Sequence, residues 1–72
     1  MTAEIIKLKK SAHSILRVDP SDLSSNEYRK LRSNASSVAD WAKECILNNG
    51  LDEDTMCELG LLIRELREVA RG

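Results

Sequence analysis

Apolar residues recur at helical spacing in three stretches of this chain, each bounded by residues that start or stop helices. Ile5, Leu8, Ala12 and Ile15 are spaced three, four and three, and Leu16 widens the stripe. That pattern predicts an amphipathic helix over about 3–18. Thr2 stands where an N-cap belongs, and Pro20 ends the run because it disfavours helical geometry at Asp19 and lacks the amide needed to continue. Asp19 and Pro20 also open a short turn of their own, with Pro at the first position and Asp22 at the third.

The second stretch begins at the clearest local signal. Ser24 and Glu27 have the spacing of a capping box, and Leu23 and Tyr28 occupy the flanking positions of a hydrophobic staple. Tyr28, Leu31, Ala35, Val38, Ala42 and Cys45 then follow a heptad-like three-four spacing, which predicts a helix over 24–48. Ser33 to Ser37 is the weak part, since Ser and Asn compete for backbone hydrogen bonds there and Ala35 is the only strong helix former. A kink or a break into two helices is the alternative at that point. Asn48, Asn49 and Gly50 end the element, because Asn and Gly tolerate the left-handed conformation.

A third helix is predicted over 52–71, with Asp52 as N-cap and Leu51 and Met56 as a second staple. Acids crowd its first turn and Arg67 and Arg71 its last, matching the helix dipole at both ends. The short connection makes the second and third helices an antiparallel hairpin, with the first lying across it. The fold class expected is all-α: a small three-helix bundle with a C-terminal antiparallel hairpin, one domain over 1–72, and dimeric.

Dimerisation enters through the third helix. Leu59, Leu62, Ile63, Leu66, Val69 and Ala70 form its apolar stripe, and from Val69 round to Met56 the stripe spans roughly 140° against the ~100° of an ordinary surface helix. One neighbouring helix does not need that width. The rest of the core is thin, since Phe is absent and Trp41 and Tyr28 are the only aromatics. A second molecule is therefore expected on Met56, Leu59, Leu62, Ile63, Leu66 and Val69, with Trp41 either packed in the core or anchoring the interface. Gly60 shares a lane with Arg67 and Arg71 beside the stripe, where it either admits a close helix or is a weak spot. Leu61 points to the polar face.

Net charge is −1, unevenly spread. Lys7, Lys9, Lys10 and Arg17 make the first eighteen residues basic, and Asp52, Glu53, Asp54, Glu58, Glu65 and Glu68 make the last third acidic. The plain reading is solvated faces that orient helix packing. The sharper one is a nucleic-acid surface built from Lys7, Lys9, Lys10, Arg17, Arg29, Lys30 and Arg32. The helix after Gly50 is a poor reader for a helix-turn-helix, because its acids would face the phosphates.

No candidate chemistry stands out. Cys45, Cys57 and His13 lack metal-ligand spacing. Cys45 reads as a small buried hydrophobe and His13 as a surface residue without an orienting acid or a nucleophile. Two cysteines do not make a disulfide framework, the first ten residues do not read as a signal peptide, and no apolar run reaches the ~20 residues of a membrane span. Asn34, Ala35 and Ser36 match a glycosylation acceptor, which means nothing without a secretory signal. The expectation is a cytoplasmic, non-catalytic adapter or regulator that acts through protein contact as a homodimer. It needs no cofactor, metal, membrane or small-molecule substrate. The alternative is a nucleic-acid accessory factor using the basic first helix.

Overall fold

The computed structural model describes residues 3–48 and 50–72, so the expected Thr2 cap and the Asn49 stop signal lie outside the described residues. Among those described, the chain forms three α-helices, α1 (Ala3–Leu16), α2 (Ser25–Asn48) and α3 (Glu53–Arg71), with one 3-10 turn at Pro20–Asp22 and no strand. The helices pack into a body of about 39 × 20 × 16 Å.

Local chemistry sets the ends. α1 stops at Leu16, two residues before the expected Val18, because the Val18 amide bonds the Ile15 carbonyl (3.3 Å) and tightens the last turn. Asp19 caps the turn that follows, its carboxylate accepting from the Ser21 amide (3.0 Å) and hydroxyl (2.8 Å). The capping box closes reciprocally: the Ser24 amide donates to Glu27 Oε1 and the Glu27 amide to Ser24 Oγ, both at 3.3 Å. Gly50 takes a φ of 53°, which turns the chain from α2 into α3 without a steric penalty. At the far end the Gly72 amide closes on the Glu68 and Val69 carbonyls.

Asp52 caps α3, accepting from the Thr55 amide at 3.3 Å. The Thr55 hydroxyl, whose residue is buried, bonds the same carboxylate and holds its pKa below the ordinary 3.8. Leu51 packs against the core, but Met56 stays 42% exposed, so burial is one-sided at the second staple.

α2 is continuous through Ser33 to Ser37. Tertiary packing overrides weak propensity here. Ala35, Ala39 and Ala42 are buried on its inner face, while Ser33, Asn34, Ser36 and Ser37 point to water. Ile5, Leu8 and Ala12 of α1 and Leu59, Leu62 and Leu66 of α3 close over those alanines.

Side-chain bonds give the helix directions. Arg32 Nε donates to the Ala70 carbonyl (3.0 Å), at the end of the α2–α3 pair opposite the Gly50 turn, so the two helices run antiparallel. Trp41 Nε1 donates to Glu4 Oε1 (3.1 Å), and Leu16 shares a cleft with Tyr28 and Val69. α1 therefore runs against α2 and alongside α3, to which Lys9 is tied by an ion pair with Glu58 at 2.9 Å.

Two measurements test this packing. Leu66→Ala removes a side chain with no exposed surface and is expected to cost ~2–5 kcal/mol, whereas Leu61→Ala, at a position 62% exposed, should stay within ~0.5 kcal/mol of wild type. Urea unfolding reads both, and equal costs would contradict the burial described. Asp52→Asn keeps a capping oxygen but does not titrate. Because the folded pKa of Asp52 is lowered, its charge stabilises the fold above the unfolded value of 3.8 and that contribution is lost as pH falls through the lower folded value. The stability gap between wild type and Asp52→Asn should be widest near neutral pH and close in acid; a gap independent of pH would rule the capping charge out.

Candidate interaction surface

The structure divides the seven expected interface residues into two groups. Leu59, Leu62 and Leu66 are 0%, 6% and 0% exposed and form the core of this chain. They are not available to a second molecule. The stripe is wide because two helices of the same chain share it: α1 covers the side nearest Glu58, and α2 the side nearest Ile63 and Ala70. From Val69 round to Ile63 the buried arc is about 120°, close to that of an ordinary amphipathic helix with a core to face. Surplus width is therefore no ground for a second molecule.

The other four lie at the margin. Trp41, Ile63 and Val69 are half-buried against the core, and Met56 is largely exposed. Trp41 sits between α2 and α1, held by Glu4, and that contact was not legible from spacing within either helix. Burial first, and then the same Glu4, push the Cys45 thiol above its usual value. Cys57 is exposed on α3. His13 is exposed on α1, and among the described residues no three His, Cys, Asp or Glu side chains are grouped to hold a metal ion.

The seven expected nucleic-acid residues are not brought onto one face. Lys9 is only 17% exposed at its side chain and is engaged by Glu58. Arg32 is turned towards α3, bonded to Ala70, with its guanidinium 5.9 Å from the centre of the Tyr28 ring. Lys10 and Arg17 do share a shallow depression with His13 and Ser14 on the outer side of α1. Lys7 is exposed nearby, and Lys30 lies one turn before Asn34, which borders α1 beside Lys10. Arg29 is about 100° round α2 from Lys30.

Among the described residues, five large apolar side chains remain exposed: Ile6, Val18, Leu47, Met56 and Leu61. Leu47 (71%) and Met56 (42%) flank the turn between α2 and α3. Along α3, beyond Met56, Gly60, Ile63, Arg64, Arg67, Glu68 and Arg71 line an open depression of about 410 Å³. A Cβ built at Gly60 would meet nothing within 4 Å, and its φ is not positive, so neither space nor backbone geometry within the chain calls for glycine.

No protein-family model matches the chain, and no curated protein or solved structure matches it either. No helix among the described residues is long and apolar enough to cross a membrane.

Gly60→Ala isolates what the fold asks of that position. In the dilute chain it should raise stability by ~0.5–1 kcal/mol, the helix-propensity difference at an open site. A lowered urea midpoint would show instead that the monomer needs glycine there.

Proposed function

We propose that the chain is a three-helix bundle acting as a non-catalytic adapter or regulator, working through protein contact as a homodimer. The observation that supports this reading is the apolar surface left after α1 and α2 have covered the core stripe of α3. Met56 and Leu61 on α3 and Leu47 on α2 remain 42%, 62% and 71% exposed. Lone exposed apolar residues need no explanation, but Leu47 and Met56 flank one turn, and Met56 stands one helical turn before Gly60, which lines the α3 depression. A dimer formed there leaves the outer side of α1 on each copy available, so the pair presents two identical surfaces and can bridge two binding sites.

The nucleic-acid reading has less behind it. With Lys9 and Arg32 engaged within the chain, Lys7, Lys10, Arg17 and Lys30 are, among the described residues, the cations available around α1. Few phosphate contacts give weak binding with a shallow salt dependence, because the salt slope scales with the number of phosphates neutralised.

Sedimentation equilibrium tests the dimer directly. The expected result is a mass that rises from that of one chain, 8.1 kDa, towards twice that value with concentration. A single-chain mass up to ~500 µM, where a dimer with a Kd on the order of 100 µM would be mostly filled, would overturn the homodimer.

A further inference from the structure

α3 carries a second heptad lane, distinct from the one that builds the core. Glu53, Met56, Gly60, Ile63 and Arg67 recur at three-four-three-four spacing, with Arg71 one turn further on. At 100° per residue this lane is centred about 120° from the core lane of Thr55, Leu59, Leu62 and Leu66. It lies opposite Glu58, the residue that reaches α1 through Lys9, and so it runs along the flank of α3 away from α1. Only Ile63 is half-buried within it; the other members are exposed.

Charge along the lane reverses about Gly60. Glu53 is seven residues before Gly60 and Arg67 seven after, each about 10 Å along the axis at 1.5 Å per residue. Met56 stands four residues before, and Ile63 three after. Turning a second copy by 180° about an axis through Gly60 sets acid against base at both ends and apolar side chains against each other between them. The same patch then serves both copies, as a closed two-fold interface requires. We propose that a second copy of this chain docks on this lane, with α3 antiparallel to α3 and Gly60 meeting Gly60 at the crossing.

Gly60 fits that position for a physical reason. Within the chain its missing side chain serves nothing, since a Cβ there would meet no atom within 4 Å beyond its own turn of helix backbone. Between two copies it lets the backbones approach, because interaxial distance is set by the side chains at the contact. One helix on one helix makes a small interface, below about 1,200 Å², so the dimer is expected to fill only at concentrations on the order of 100 µM.

The proposal rests on the homodimer reading above and is tested by charge exchange in sedimentation equilibrium. Glu53→Arg, and separately the double variant Arg67→Glu with Arg71→Glu, place like charges at both ends of the contact. Each alone is expected to weaken dimerisation at least tenfold, and an equal mixture of the two to recover the two-chain mass, because every acid then faces a base. Gly60→Leu should abolish the dimer while circular dichroism stays helical, which keeps the test decisive if a charge variant folds poorly. A wild-type dimer that tolerates Gly60→Leu, or charge variants that do not complement, overturns the lane and leaves the homodimer standing on some other face. A wild-type chain that stays single at ~500 µM overturns both.

Discussion

Ala35, Ala39 and Ala42 leave α2 nearly bare where α1 and α3 press against it, and the rest of the molecule depends on that small-against-large contact. The bulk of the core comes from the outer helices: Ile5 and Leu8 on one side, Leu59, Leu62 and Leu66 on the other. Larger residues at the alanine positions would hold the helices apart and open voids that a chain with two aromatics has nothing to fill. The same contact explains the continuity of α2. Buried alanines bind the middle of the helix to its neighbours on the face opposite the serines, so residues that would fray an isolated helix are carried by their surroundings.

Polar contacts then orient what the alanines bring close. Glu4 to Trp41 and Lys9 to Glu58 tie α1 to both partners near one end, and Arg32 to Ala70 ties α2 to α3 near the other. None of these is a large source of stability at an exposed or half-exposed site. Their effect is directional, since each is satisfied only when the helices run as they do. They also engage Lys9 and Arg32 within the chain, which leaves fewer cations on the outer side of α1 than the basic composition of that end suggests.

How much was legible depended on the range of the interaction. The capping box at Ser24 and Glu27, the Asp52 cap, the turn at Asp19–Asp22 and the Gly50 turn act within a few residues, and the structure shows each where its residues stand. Burial of Ile5, Leu8, Ala12, Leu31, Ala35, Ala42 and Cys45 followed from periodicity alone. Ala39 did not, although it is almost fully buried, because an alanine between Val38 and Asp40 carries too little hydrophobic signal to distinguish a core position from a neutral one. The interface residues were the harder case. A stripe of Leu59, Leu62 and Leu66 records that these side chains leave water, but not whether the cover is one helix, two helices or another molecule.

By itself, then, the order of residues determined where α2 and α3 begin, which side of each helix is apolar and where the chain must turn, since caps, periodicity and glycine geometry are properties of neighbouring positions. Only the tertiary structure decided that α1 and α2 share the apolar side of α3, that Lys9 and Arg32 are spent inside the chain, and that Gly60 lies on an open flank. Those outcomes depend on which helix lies on which side of another, and helix periodicity is blind to that choice because either neighbour satisfies the same stripe.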